Sequence, residues 1–123
     1  MHRVQVELPA RATSPRDARR AVSRLLRTAG VHGEQAEDVL LIVSELVTNA
    51  IRHAGTPVEL EATLEPDGIV LRVTDHDATL PRPGSPRLGQ AGGWGLHLVD
   101  QMAVQWGCEP CGGTTGKTVW AEL

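Results

Sequence analysis

The sequence predicts an α/β (α+β) two-layer sandwich, in which one mixed, mostly antiparallel sheet is covered on one face by three helices. The chain has 123 residues, which suits a single domain spanning residues 1–123. Its 41% of hydrophobic and 22% of charged residues are ordinary for a globular protein. In some segments apolar residues recur at every second position, as in a strand, and in others they recur with the period of a helix. These segments follow each other in the order β-α-α-β-β-loop-α-β-β. Because tyrosine and phenylalanine are absent, aliphatic side chains must fill the core.

The N-terminal part is predicted as a strand followed by a helix with a basic face. Residues 3–8 alternate polar and apolar side chains, the pattern of a half-buried strand, and Pro9 ends it. A helix over residues 15–28 then stops at Gly30. Its apolar stripe consists of Ala18, Val22, Leu25 and Leu26. Its other face carries Arg16, Arg19, Arg20, Arg24 and Arg27. Such a charged face is usually solvated, and contact with an acidic partner is the alternative.

A longer helix and a hairpin are predicted in the middle of the chain. The helix covers residues 34–53 and is closed by Gly55. Its buried side consists of Val39, Ile42, Val43, Leu46, Val47 and Ala50. Residues 57–65 and 69–75 have the composition of strands, and the Pro-Asp-Gly turn at residues 66–68 joins them into a hairpin.

The last third begins with a long irregular segment. Residues 76–93 break every periodicity with repeated prolines and glycines, and a loop of that length in a small domain is often a functional lid. A third helix is predicted from about Trp94 onward. Strands over residues 103–106 and 118–123 close the chain.

Charge and composition exclude some classes of function. The net charge of -3 and a pI near 5.9 argue against a broad electrostatic contact with nucleic acid. No apolar run reaches the ~20 residues that a membrane helix needs, and the N-terminus lacks the apolar stretch of a signal peptide. We therefore expect a cytoplasmic protein with neither a nucleic-acid nor a membrane partner.

Cys108 and Cys111 form a C-x-x-C pair in a turn rich in glycine and proline. One pair cannot complete a four-ligand zinc site, and a redox pair of the thioredoxin type should open a helix. We interpret both cysteines as structural or incidental thiols.

Polar side chains interrupt the apolar second helix. Glu45 and Asn49 are four residues apart and share a face, and Arg52 follows on the same side. An amide oxygen can ligate Mg²⁺ whose other ligands are phosphates and water, while a neighbouring carboxylate can accept a proton from a nucleophile. An ordinary solvent-facing helix side is the alternative at this point.

Further polar and glycine-rich positions lie at the ends of other elements. Asp75 closes an apolar strand, where it can either accept a hydrogen bond from a base amine or form a turn. Gly93 and Gly95 precede the third helix, where backbone amides can approach phosphate. Residues 111–118 look like a P-loop, but only five residues follow Thr118, too few for the helix that this motif must open.

Taken in order, these segments resemble the motifs of the GHKL ATP-binding superfamily. Residues 45–53 (ELVTNAIRH) resemble its N box, and residues 75–77 (DHD) its first glycine box. Residues 93–96 (GWGL) resemble its second glycine box, and residues 116–118 (GKT) its last. The match covers nearly all of the chain. The short single-domain form is similar to the small bacterial anti-sigma-factor serine/threonine kinases.

The resemblance implies one histidine-kinase-like ATPase domain with the Bergerat fold, which binds ATP and Mg²⁺. It assigns Mg²⁺ ligation to Asn49, phosphate contact to Arg52, recognition of the adenine amine to Asp75, and the general base to Glu45. The remaining nucleotide-binding positions that it implies are Asp77, Gly93, Gly95, Leu96 and Thr118. Asp77 stands where this family usually has glycine.

The activity implied by the resemblance is phosphoryl transfer to a serine or threonine of a small anti-sigma-factor antagonist. This transfer would alternate with binding of a sigma factor, and a homodimer is compatible with it. A non-catalytic ATP-binding interaction module and a simple ATPase are the two alternatives. The carboxylate at Glu45 favours the enzyme.

Overall fold

The computed structural model of the chain describes residues 2–76, 96–110 and 116–123. These residues contain three helices and five strands in the predicted order. The elements are β1 (His2–Leu8), α1 (Ser14–Thr28), α2 (Gly33–Ala54), β2 (Val58–Glu65), β3 (Gly68–Asp75), α3 (His97–Met102), β4 (Gln105–Pro110) and β5 (Lys117–Glu122).

The five strands form one open sheet in the order β1-β2-β3-β5-β4. Each of the four pairings between them is antiparallel. The hairpin between β2 and β3 forms as predicted, with Glu65 opposite Gly68. The last strand, β5, inserts between β3 and the edge strand β4. The predicted fold class is confirmed, with a sheet that is antiparallel throughout the described strands.

The three helices cover one face of the sheet, called here the inner face. Helix α1 packs on β1 and α2, and α2 packs on β2, β3 and α3. The predicted apolar stripes are buried in full: Ala18, Val22, Leu25 and Leu26 of α1, and Val39, Ile42, Val43, Leu46, Val47 and Ala50 of α2. Each such aliphatic side chain contributes about 1.5–3 kcal/mol when fully buried, so these stripes hold the two layers together.

Side-chain alternation along the strands separates the inner face from an outer face. On β3, Leu71 and Val73 are buried on the inner face, whereas Arg72 between them is exposed on the outer face. The same period of two buries Val119 and Ala121 of β5. A residue's position in its strand therefore decides whether it faces the helices or the outer surface.

The long helix ends where the sequence predicts. Gly55 follows α2 in the left-handed conformation with φ of 65°, and its amide donates to the carbonyl of Ile51 at 3.0 Å. Glycine adopts this conformation without the steric cost of a Cβ. Within the described residues, no helix is both long enough and apolar enough to cross a membrane.

Strand β4 differs from its prediction. It was expected over residues 103–106 and instead covers Gln105–Pro110, because β5 provides a hydrogen-bonding partner along that whole length. Cys108 consequently lies half-buried in a strand opposite Val119 rather than in a turn, so the predicted turn is wrong for this cysteine. Cys111, the expected lid and the predicted helix start at Trp94 lie outside the described residues, apart from His76 at the start of the loop.

Candidate functional site

A buried side-chain oxygen on α2 has no hydrogen-bond partner among the described residues. Asn49 is only 6% exposed, and its Oδ1 atom has no hydrogen-bond partner among the residues that the structure describes. An unsatisfied buried acceptor costs about 1–3 kcal/mol, so an unpaired carbonyl oxygen here is a liability for stability. Such an oxygen is the donor atom that a hard cation such as Mg²⁺ takes from a protein.

One helical turn before Asn49 lies a carboxylate in an unusual electrostatic setting. Glu45 is half-buried, and burial raises its pKa above the ordinary 4.5. Two positive or titratable neighbours, His97 and Arg52, oppose this rise by stabilising the carboxylate charge, but burial dominates. A carboxylate with a raised pKa is a stronger proton acceptor than an exposed one once it is ionised.

The packing of α3 on α2 brings His97 close enough to act on Glu45. His97 is the first residue of α3, and both it and Arg52 are exposed. Leu96, which precedes it, is 1% exposed and begins the helix with its carbonyl accepting from the Asp100 amide at 2.9 Å. The short third helix therefore anchors through Leu96 and presents its first turn toward the polar side of α2.

A second polar cluster lies where β3 and β5 meet. Asp75 and Lys117 stand directly opposite each other in the sheet register, and Lys117 Nζ lies 3.1 Å from Asp75 Oδ2. Each side chain is only 2% exposed. Both project to the inner face, as the burial of Val73 and Val119 two residues away indicates. A buried charge requires a partner of opposite sign, and this pair supplies it.

Gly116 permits the close approach of the two strands at this point. Its φ is +143°, and a Cβ at this residue would lie 2.3 Å from the carbonyl oxygen of Asp75. Any other residue would push β5 away from Asp75. The glycine in the last motif thus has a steric role in assembling the ion pair between Asp75 and Lys117.

The side chain of Thr118 lies on the outer face of the sheet, whereas that of Asp75 lies on the inner face. Its hydroxyl shares a hydrogen bond of 2.8 Å with the hydroxyl of Thr74. Both threonines line an outer-face concavity of about 370 Å³ together with Arg72, Glu109, Pro110, Trp120 and Glu122. The side chain of the motif that faces Asp75 is therefore that of Lys117.

The nine predicted site residues fall into three groups. Glu45, Asn49 and Arg52 lie together on α2, and Asp75 lies on the inner face that α2 covers. Leu96 starts the helix that packs against α2, whereas Thr118 faces outward. The other three, Asp77, Gly93 and Gly95, lie outside the described residues.

Lys117 is a residue of the second polar cluster that was not among the predicted site residues. Lys117, like Val119 and Ala121, occupies an alternate position of β5, so the three side chains lie on the same apolar face of the strand. A lysine on such a face needs a buried partner, and this is the signal that the sequence carries. The position of His97 near Glu45 has no comparable local signal, because it depends on how α3 packs on α2.

A family model now connects this geometry to a known class of protein. The model described as the histidine kinase-like ATPase domain matches residues 8–122. The chain belongs to the histidine kinase-like ATPase family. The resemblance to GHKL proteins is thereby confirmed, and the helix α2 and the end of β3 both lie inside the matched range.

Solved structures share the fold of this ATPase domain. It is similar to the RsbU and RsbW domains of Rv1364c from Mycobacterium tuberculosis, with a TM-score of 0.74 and 19% identity over 99% of this chain. The present chain covers only 32% of the length of that Mycobacterium tuberculosis chain. It is also similar to a chain of the SiaB–SiaC complex from Pseudomonas aeruginosa, with a TM-score of 0.73, 12% identity, and coverage of 98% and 88% of the two chains. No curated protein matches the sequence.

Membership of this family implies ATP binding, and the described residues fit a metal ion that arrives with the nucleotide. Within the described part of the chain, no three His, Cys, Asp or Glu side chains gather as a metal site. The Oδ1 atom of Asn49, which has no partner among the described residues, offers instead a single neutral donor atom. Mg²⁺ commonly takes few protein ligands and completes its octahedron with phosphate oxygens and water.

Proposed function

We propose that this ATPase domain is an Mg-ATP-dependent anti-sigma factor that phosphorylates a serine or threonine of a small antagonist protein. One observation carries the proposal. Two polar groups lie together on one face of α2, and the burial of each lowers the stability of the fold. Asn49 has a buried oxygen with no partner in the described part of the chain, and Glu45 one turn away has a pKa raised by burial. Neither feature stabilises the fold, and each suits phosphoryl transfer.

In this proposal the chain holds the nucleotide through both polar clusters. Asn49 ligates the cation, Arg52 contacts the phosphates, and Asp75 accepts a hydrogen bond from the adenine amine. Bound Mg²⁺ would neutralise charge that develops on the phosphate oxygens. The remaining proposed contacts are the backbone amides at Gly93, Gly95 and Leu96, with Asp77 as a further nucleotide-binding position. Thr118, whose side chain faces outward, is not part of this contact set.

Glu45 is the proposed general base. The acceptor hydroxyl attacks the γ-phosphorus, the bond to the bridging oxygen breaks, and ADP leaves with the electron pair. Glu45 takes the proton of the hydroxyl as the new bond forms. His97 and Arg52 favour the ionised form of Glu45, which is the form that accepts a proton.

A protein acceptor and a sigma factor are the proposed partners. The neighbour SiaB was solved as a complex with SiaC, and this supports a protein partner for a chain of the same fold. A sigma-factor partner would place the chain in the cytoplasm, as the sequence predicts. We also propose a homodimer as its working form.

The decisive experiment measures transfer of γ-labelled phosphate from ATP to the antagonist protein. General-base assistance typically contributes ~10²–10⁴-fold, so Glu45→Gln should slow transfer by about that factor at matched nucleotide occupancy. Glu37→Gln is the matched control, because Glu37 is an exposed carboxylate about two turns earlier on α2. The control should transfer label at the wild-type rate.

Three results would contradict or replace this proposal. Equal transfer by the wild type and Glu45→Gln would remove Glu45 from the role of base. Capture of the partner by an ATP-loaded wild type that transfers no label would identify a non-catalytic binding module. Phosphate release without transfer would identify a simple ATPase.

A further inference from the structure

An open groove runs between strand β1, at one edge of the sheet, and helix α1. It encloses about 510 Å³, with Val4 and Val6 on the strand side and Ala21, Arg24 and Leu25 on the helix side. Val4, Val6 and Ala21 are each half-buried, so part of their apolar surface still faces solvent. This feature, called here the β1 groove, therefore has an apolar floor that is open to a ligand.

The strand that borders the β1 groove has one edge without a neighbouring strand in the described part of the chain. It is the first strand in the sheet order and pairs with β2 on its other side. Its register with β2 runs without a bulge from His2 to Leu8, and Pro9 follows only after the strand ends. About half of the N–H and C=O groups of such a strand point away from its neighbour. An edge of this length without a bulge or a proline can pair with a further extended segment.

Positive charge surrounds the helix side of the β1 groove. Residues 11–28 contain six arginines and one acidic residue, a net charge of +5 in a chain whose net charge is -3. Arg24 is exposed at the groove, and its guanidinium group has no hydrogen bond or ion pair among the described residues. Arg3, on the strand side, is already paired with Glu61. Arg24 is therefore the cation that is available to a ligand, and an acidic ligand complements it.

We infer that the β1 groove binds an extended acidic segment of a partner protein, which adds to the sheet as a strand beside β1. Strand addition obtains its affinity from main-chain hydrogen bonds and its specificity from alternate side chains. Side chains two positions apart on the added strand lie ~7 Å apart on one face, so apolar ones can cover Val4 and Val6 while a flanking acidic one reaches Arg24. The inference goes beyond the proposed function, because the described residues assigned to ATP and to phosphoryl transfer lie outside α1 and β1.

A second copy of this chain does not suit the same groove. Antiparallel pairing of β1 with β1 of a second copy would place the two α1 helices next to each other on one face of the joined sheet. The net charge of +5 on residues 11–28 of each copy would then repel that of the other. The homodimer of the proposed function therefore needs another surface.

Fluorescence anisotropy of a synthetic peptide titrated with the whole chain tests the inference. The probe is the fluorescein-labelled peptide Ser-Asp-Thr-Val-Thr-Val-Thr-Asp-Ser, which as a strand carries its valines and aspartates on one face. A second peptide has lysine in place of both aspartates, and a third carries N-methyl groups on its central backbone amides. At physiological ionic strength the first peptide should bind saturably. The other two should bind at least about tenfold more weakly, because each lacks hydrogen bonds that the first one makes.

Charge reversal on α1 locates the binding. Arg24→Glu should raise the Kd of the aspartate peptide at least about tenfold and should lower that of the lysine peptide. Arg16→Glu is the matched control, because Arg16 is exposed on the same helix. It lies about 12 Å before Arg24 along the helix axis, beyond the Debye length of ~8 Å at physiological ionic strength. The control should bind the aspartate peptide as the wild type does.

The outcomes separate this inference from the proposed function. Absence of saturable binding, or equal Kd values for the aspartate and lysine peptides, overturns the acidic ligand. Unweakened binding of the N-methylated peptide overturns strand addition. Sedimentation of the free chain as a dimer that Arg24→Glu dissociates makes a second copy the occupant and overturns the partner protein. Glu45→Gln should bind the aspartate peptide as the wild type does, so a failure of the proposed kinase activity leaves this inference standing.

Discussion

The two faces of the sheet carry charged side chains under very different conditions. On the outer face, Glu61 lies 2.5 Å from Arg3 and 3.7 Å from Arg72, and the two arginines are 55% and 51% exposed. On the inner face, Asp75 and Lys117 form their pair with 2% exposure each. The same chemical interaction is therefore solvated on one side of a strand and almost dry on the other.

The difference indicates which charges serve the fold and which serve a site. Exposed ion pairs contribute about 0–1 kcal/mol and keep the outer surface polar at little cost. Buried charges lose their hydration, and an apolar pair of the same shape is often equally stable or more stable. The ion pair of the inner face and the buried Oδ1 of Asn49, which has no partner among the described residues, thus add little to stability, and the proposed function gives each of them a role.

Removing one cation from each face should lower the free energy of unfolding by very different amounts. Lys117→Met removes the cation 3.1 Å from the buried carboxylate of Asp75 and breaks the buried ion pair, so we expect a loss of about 3–5 kcal/mol in the free energy of unfolding. Arg72→Met removes an exposed arginine, and its loss should be below about 1 kcal/mol. Denaturant titration followed by circular dichroism measures both values.

A double substitution provides the control for that prediction. Asp75→Asn combined with Lys117→Met removes both charges, so most of the stability lost in the single variant should return. A double variant that is no more stable than Lys117→Met would mean that the loss comes from packing and not from the broken ion pair.

The amide on α2 should show a smaller effect, on binding rather than on folding. Asn49→Ala removes the proposed ligand, and changes around metal sites typically cost ~10–100-fold in affinity, so Mg-ATP should bind at least about tenfold more weakly. Its stability should not fall by the cost of a lost hydrogen bond, because Oδ1 has no partner among the described residues. Thr48→Ala, at the exposed neighbouring position, is the control. Unchanged affinity for Mg-ATP in a folded Asn49→Ala would contradict the metal assignment.

The smallest expected effect concerns the stability of Glu45→Gln as a function of pH. Burial raises the pKa of Glu45 in the folded protein above its ordinary 4.5, so the folded state binds more protons than the unfolded state just above that pH. Stability contributed by this residue therefore falls as the pH rises from 4.5 through the raised pKa. Glu45→Gln should melt slightly higher than the wild type at pH 7, and the difference should disappear below pH 4.5. A lower melting temperature at pH 7 would show that attraction to His97 and Arg52 outweighs the burial cost.

Most of the fold was predictable from the sequence because its signals are local. The apolar stripe of α1, the buried side of α2 and the hairpin at residues 66–68 each depend on side chains within a few positions of one another. The boundary of β4 was wrong because its length is set by pairing with β5. Residues that alternate weakly become strand when a neighbouring strand offers hydrogen bonds.

In the candidate site, too, some positions follow from local spacing and others depend on how distant segments pair. Glu45 and Asn49 share a helix face through their spacing alone, and the resemblance of their motif pointed to them directly. Thr118 was selected for nucleotide binding from its motif, but its side chain lies on the outer face beside Thr74. Only the register of β5 against β3 distinguishes it from Lys117, and register is fixed by the whole buried face of the sheet.

By itself, the sequence determined the order of the elements and the two long helices with their buried sides. It also determined the polar positions on α2 that resemble the N box of GHKL proteins. These follow from periodicity, helix ends and turn residues, which act over a few residues. The tertiary structure alone decided that Lys117 meets Asp75, 42 positions earlier in the chain, and that His97 approaches Glu45. Such contacts depend on how distant segments pack, and burial then sets the electrostatic strength of each contact.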